Sequence, residues 1–389
     1  MRFAAVLLAF SASLAAQSAP PPATPESYAQ DAEELQGIVA ANYACLDRFD
    51  GATAPISDLL VAEAKDVTDR RSLVRHAERA LLALADHHAH TGSSLADSWA
   101  LVPSFADLWI EERSGRYLVD AVREHSPAAG AGIKPGDELI AVEGRPVKRA
   151  VSDFWQELGF SQLDREARAF AARILAAGRR DRVRRLTFRT AQGERTVELP
   201  NLYQVPRQDR PPLSVVRTDR CLVIRFNYSL GDDATIAAFD DAMRATTTRQ
   251  PVCLDLTDTP SGGNTVVARA VMGWFATQPS PYQVHRIPSE RQTGIARQWV
   301  EQVLPRAGKY HAGPVTVRVG RWTGSMGEGL AIGLQALGAD LTGGKMAGLR
   351  GAIYNFTLPA SGLRINLPAE RLYTIHGLPR EDVAVTSAP

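Results

Sequence analysis

The sequence predicts a mixed α/β protein, and three observations lead there. Apolar residues recur at helical spacing from 26 to 86, and from about 103 the pattern turns to short strands broken by glycine turns. After about 211, strands and helices alternate, which argues for a mainly parallel sheet covered by helices. The 389 residues leave room for two or three domains at roughly 100–200 residues each. Hydrophobic residues make up 45% and charged residues 22%, a globular mixture that excludes a disordered chain, a collagen-like fibre and a disulfide miniprotein. A net charge of +1 provides no bulk positive field to hold nucleic acid or anionic lipid. Lysine occurs only at 65, 134, 148, 309 and 345, so a catalytic lysine has few places to be.

Residues 1–16 open on Met1-Arg2 and an apolar run from Phe3 to Ala16, and a Pro/Ala-rich linker follows over 17–25. This pattern is that of a secretory signal peptide, and the run is shorter than the ~20 residues a membrane span needs. Export to the periplasm or the medium is expected, with no membrane span after signal removal. A helical region follows over 26–100, with Leu35, Ile38, Val39, Tyr43 and Leu46 at spacings of three and four. Arg71 to Ala85 repeats the pattern, with Ser72 as the candidate cap. Cys45, Cys221 and Cys253 are an odd set, which leaves at least one thiol free. The apolar runs around Cys221 and Cys253 favour buried inert thiols; a bridge between them requires neighbouring strands.

Residues 103–200 hold Ile133-Lys134-Pro135-Gly136-Asp137, a strand, and the turn Glu143-Gly144-Arg145. Small residues before the proline and a glycine at each turn closely resemble a bacterial PDZ domain. A segment rich in arginine and helix formers, Asp164 to Arg185, interrupts it and reads as a solvated helix face rather than a polyanion site.

Three segments could carry chemistry. Ser325 stands where a strand gives way to an apolar helix, so its hydroxyl lies near exposed amides at a helix N-terminus. Thr323 occupies the first glycine position of G-x-S-x-G, so the α/β-hydrolase elbow does not match. Asp255 to Asn264 ends a strand on Gly262-Gly263, where amides can approach a substrate oxygen. Asp86-His87-His88-Ala89-His90 is dense in imidazole, but with no Cys or carboxylate cluster beside it and no HExxH it reads as a source of a general base or as surface histidines before a metal site.

Taken in order, these features resemble the C-terminal processing (tail-specific) serine proteases over nearly everything after the signal. The family's D-x-H motif falls on Asp86 to His88, and its D-L-R-x-N-x-G-G on Asp255 to Gly263, with Thr257 replacing the arginine. Its nucleophile, three residues before a glutamate, falls on Ser325 with Glu328. The family's lysine base corresponds to Arg350 in Gly348-Leu349-Arg350-Gly351, and an arginine is not deprotonated in proteins. Lys345 stands at a variable turn position. The chain therefore looks closer to the tricorn-core-like branch, which lacks that lysine and uses Ser-His-Ser-Glu; His87 stands where that branch has its second serine.

The resemblance implies a C-terminal serine protease domain over 211–389 with a ClpP/crotonase-like fold, behind a helical region and a PDZ-like β domain. It implies Ser325 as nucleophile, His88 as base with His90 the fallback, and an oxyanion hole from Gly262 or Gly263 and the Met326 amide. Glu370 is the expected carboxylate partner of the histidine, with Glu381 a second candidate. Arg350 would bind a substrate carboxylate or pair with an acid such as Glu328. A PDZ groove at Phe105, Leu108 and Ile110 would add a substrate C-terminus as an extra strand. No metal or organic cofactor is implied. The expected function is an exported serine-type peptidase acting on peptides or proteins through an acyl-enzyme. The alternatives are a catalytically silent peptide-binding protein of the same fold, and a hydrolase of a non-protein ester or amide.

Overall fold

The computed structural model describes residues 24–206, 209–295 and 297–385, so the signal peptide and the linker up to residue 23 lie outside the described residues. The first helix, α1 (Pro25–Asn42), is capped by Thr24, whose hydroxyl accepts from the Ser27 amide while Ser27 bonds back. Next come α2 (Asp58–Lys65) and α3 (Arg70–Leu82). Asp69, rather than Ser72, caps α3: its carboxylate accepts from the Ser72 amide at 2.7 Å, and Ser72 Oγ accepts from the Asp69 amide. Ser72 is thus the third residue of a capping box, which moves the start of α3 forward by a turn. A two-residue strand, β1 (His90–Thr91), leaves this region.

The PDZ region comprises β2 (Leu108–Arg113), β3 (Arg116–Val122), α4 (Pro127–Gly130), β4 (Glu138–Val142), β5 (Arg145–Pro146), α5 (Val147–Gln156), α6 (Arg165–Ala177), β6 (Arg184–Thr190) and β7 (Gly193–Leu199). Its antiparallel sheet runs β2-β3-β4-β6-β7, with β5 on β4. Helix α6 is not the solvated face its arginines suggest. Ala169 through Ala177 are all buried, and the helix packs against the edge strand β2. Its apolar face (Phe170, Ala171, Ile174, Leu175) joins Leu108 and Ile110 in one core.

The remainder holds β8 (Leu213–Arg217), β9 (Leu222–Phe226), α7 (Ala234–Arg244), β10 (Val252–Asp255), α8 (Thr265–Met272), β11 (Ser280–Arg286), β12 (Gln298–Val303), β13 (Val315–Val319), α9 (Met326–Ala336), β14 (Asp340–Gly343), β15 (Ala352–Thr357) and β16 (Arg364–Tyr373). One sheet runs β14-β13-β10-β9-β8, parallel except for β8, as strand–helix alternation requires. Because β10 and β13 are parallel neighbours, the loops after them leave the same edge, and Thr259 bridges Thr323 there. A second sheet, β1-β16-β11-β12 with β15 on β16, is antiparallel, and β1 pairs His90 with Asn366. Leu363, Ile365 and Leu367 share a core with Leu35, Leu73 and Leu81, which ties the helical region to this sheet.

Cys221 and Cys253 are joined in a disulfide with Cα atoms 6.1 Å apart, a correction to their reading as inert thiols. The cause is the parallel pairing of β9 with β10, which puts Cys253 opposite Val223. Cys45 remains free and buried, and burial pushes its thiol up to about 12. Among the described residues no helix is long and apolar enough to cross a membrane.

Candidate active site

The site lies where the loops after β10 and β13 meet the turn between α3 and β1. Ser325 directly precedes α9 and has φ 52 and ψ −114, an unusual conformation for a residue with a side chain. Two glycines make room for it. A Cβ at Gly324 would stand 2.5 Å from the Pro260 carbonyl oxygen, and one at Gly327 would stand 2.4 Å from Thr259 Oγ1. Glu328, fully buried, holds the turn: it accepts from the Ser325 amide (2.8 Å), the Gly348 amide (2.8 Å) and the Leu349 amide (3.3 Å). Burial pushes its carboxyl up to about 7, against the pull of Arg380 and of those amides.

His88 reaches Ser325 from the opposite side. Its Nε2 lies 3.1 Å from Ser325 Oγ, and its Nδ1 lies 2.7 Å from the Arg350 carbonyl oxygen. A carbonyl only accepts, so Nδ1 carries the proton and Nε2 presents its lone pair to the serine hydroxyl. Asp86 shapes the turn, accepting from the His88 amide at 2.9 Å and from Tyr43 Oη at 2.7 Å. Burial, reinforced by the nearby Arg380 charge, lowers His88 to about 4, so the ring is neutral at pH 7.

The glycine pair lies against the start of α9, next to Ser325. A Cβ on Gly263 would fall 1.8 Å from Met326 Cβ, so only glycine allows this approach. Gly262 has φ +72, which also favours glycine. The Gly263 and Met326 amides donate to no group among the described residues. Ser325, His88, Gly262, Gly263 and Met326 all line one cleft of about 710 Å³, together with Phe105, Tyr282, Trp299 and Glu370.

Other expected residues fall elsewhere. Glu370 lines the cleft but does not orient His88: it accepts from Tyr354 Oη at 2.8 Å and is paired with His285 Nδ1. The Arg350 carbonyl takes that role instead. Glu381 lies 3.8 Å from Arg371. The Arg350 guanidinium is paired with Glu166 of α6, not with Glu328, and is not among the cleft-lining groups. His90 also lines the cleft, but its Nδ1 is engaged with Asn366 and the Thr91 carbonyl, each at 3.1 Å, and it makes no hydrogen bond to Ser325. His87 accepts from Arg173 Nε at 3.0 Å and stacks on Phe170, and burial holds it well below the usual histidine range. Lys345 is exposed on the turn after β14. No group of His, Cys, Asp and Glu suited to a metal occurs among the described residues.

The residues of the expected peptide groove sit on β2, the edge strand of the PDZ sheet, with α6 packed against it. Leu108 and Ile110 are 1% and 0% exposed, and Trp109 between them is 1% exposed, so both faces of β2 are covered. Phe105 stacks on Tyr203 at 3.8 Å and lines the active-site cleft. Sequence reasoning missed the groups around His88: the Arg350 carbonyl on its ring, Tyr43 on Asp86, Arg380 on the facing segment, Glu166 on the Arg350 guanidinium and Arg173 on His87. Arg380 donates to the Leu349 and Gly351 carbonyls at 2.9 and 2.7 Å, which clamps the segment facing His88. Its sequence neighbourhood carries no motif.

Residues 118–156 match the family model of the PDZ domain. Among solved structures, the chain is similar to the photosystem II D1 C-terminal processing protease, with a TM-score of 0.57, 16% identity, and 93% of this chain and 92% of that one covered. It is also similar to mature CPAF complexed with lactacystin, with a TM-score of 0.58, 16% identity and 93% of each chain covered. No curated protein sequence gives a significant match. The chain carries a PDZ domain within an α/β structure that has the fold of the C-terminal processing proteases.

Proposed function

We propose that this protein is an exported serine-type peptidase that cleaves peptide or protein substrates through an acyl-enzyme on Ser325. The observation that carries the reading is the hydrogen-bonded chain from Ser325 Oγ through His88 to the Arg350 carbonyl. In the reaction, His88 Nε2 takes the Ser325 proton as Oγ attacks the scissile carbonyl carbon, and the developing oxyanion meets the Gly263 and Met326 amides. The imidazolium then gives that proton to the leaving amine, and water repeats the sequence on the acyl-enzyme. The fold shared with processing proteases favours a peptide bond. The apolar leader and the Cys221–Cys253 disulfide both favour an oxidising compartment outside the cytoplasm. The covered β2 leaves no support for reading substrate C-termini at Leu108 and Ile110.

The test is cleavage of a proteome-derived peptide mixture, read by mass spectrometry, beside p-nitrophenyl esters, with Ser325→Ala as control. New peptide termini that require Ser325 are expected. Ester hydrolysis without any peptide cleavage would move the substrate class to a non-protein ester.

A further inference from the structure

Two chain segments hold His88: the turn from Asp86 to His90, and the segment 348–351 that supplies the Arg350 carbonyl. Helix α6, the insertion in the PDZ region, reaches both. Glu166 pairs with the Arg350 guanidinium, and Arg48 adds a second cation at 3.5 Å. Seven residues further, two turns along the same face, Arg173 donates to His87 Nε2. Phe170 lies between them and stacks on the His87 ring at 4.4 Å. Arg173 is itself fixed: it donates to Glu111 of β2 at 3.2 Å and sits 4.9 Å from the Trp109 ring.

We infer that α6 is a two-point mount for the catalytic base, with Glu166 and Arg173 as positioning residues. Glu166 sets where the Arg350 carbonyl stands, and Arg173 sets the turn that carries His88. The inference rests on the hydrolase reading above and assigns a task to a helix that the fold could otherwise leave as packing. A general base displaced by a fraction of an ångström from its nucleophile loses rate steeply, while substrate binding in the cleft is left alone.

The experiment compares fluorophosphonate labelling of Ser325, per folded molecule, in the full chain and in Glu166→Gln, Arg173→Gln and Arg173→Lys. The His88 Nδ1 proton is followed alongside by NMR. Both Gln variants are expected to label at least about ten-fold more slowly, with the Nδ1 proton exchanging faster and KM for any cleaved ester unchanged. Arg173→Lys, which keeps a donor for His87, recovers most of the rate. Labelling within two-fold of wild type in folded Glu166→Gln, with an unchanged Nδ1 proton, would overturn the mount. Should Arg173→Gln not fold, Glu166→Gln decides alone, since the Glu166 side chain is 46% exposed. Absence of labelling in wild type would instead defeat the hydrolase reading, and the Nδ1 proton would still report on the mount.

Discussion

At the scale of single residues, the geometry of Ser325 combines a strained backbone with a fixed base. A φ of 52 with ψ −114 on a side-chain-bearing residue costs on the order of 1–3 kcal/mol. Three amide bonds to Glu328 hold that turn and the segment opposite it. Ser325→Gly should therefore be more stable than Ser325→Ala by about 1 kcal/mol in chemical denaturation, because glycine adopts this conformation without the penalty. His88 carries the pH dependence. Its neutral form is the base and burial lowers it to about 4, so the reactivity of Ser325 should be flat from pH 8 to about 5 and fall as pH drops through about 4. The stability sign follows from the same shift. The folded value lies below the ordinary 6.5, so the folded state binds fewer protons and stability is lost as pH falls from about 6.5 toward 4. Labelling rates across pH, each measured on protein shown to be folded, check both. Ser325, His88 and the glycine pair were legible because each sits in a short motif with its own local reason. The acceptor for His88 Nδ1 was not, because a backbone carbonyl has no residue signature. Glu370 drew the assignment by lying on a strand beside the site, and only the fold shows His285 taking it.

At the scale of elements, the parallel pairing of β10 with β13 does most to build the cleft, since it brings the Gly262-Gly263 loop and Ser325 to one edge. Strand–helix alternation made that sheet readable. The proximity of Cys221 and Cys253 follows from the neighbouring pair β9 and β10; the sequence offered that bridge only on condition of adjacent strands and favoured inert thiols, because strand order is not written in the residues. The disulfide closes a loop with a sequence separation of 32. On loop-closure entropy its reduction should cost about 3–4 kcal/mol, read as a lower unfolding midpoint in dithiothreitol that Cys45→Ala does not reproduce. Helix α6 shows the opposite kind of failure. Its arginines suggested an outer face, yet one of them, Arg173, is spent inward on Glu111, His87 and the Trp109 ring. An insertion has no period or motif that announces what it packs against.

At the scale of the whole molecule, the PDZ region is bolted to the C-terminal α/β region close to Ser325. Arg321 donates to Glu111 at 3.0 Å and Asp120 at 2.8 Å, and Trp322 Nε1 donates to the Ala106 carbonyl at 2.7 Å. Ser104 is hydrogen-bonded to Ser261, the residue before the glycine pair. These contacts, with α6 packed against β2, join the PDZ sheet directly to the cleft. Matched peptides ending in a free carboxylate or an amide should consequently be cleaved at rates within about two-fold, since no carboxylate contact in the PDZ groove discriminates them. A strong preference for the free acid would show that β2 opens.

The most direct measurement is the intact mass of the protein after fluorophosphonate treatment, for wild type, Ser325→Ala, His88→Ala and His90→Ala. The account expects one adduct on wild type, none on Ser325→Ala, strongly slowed labelling in His88→Ala, and a near-normal rate in His90→Ala. No adduct on folded wild type, or labelling in His88→Ala as fast as in wild type, would contradict it.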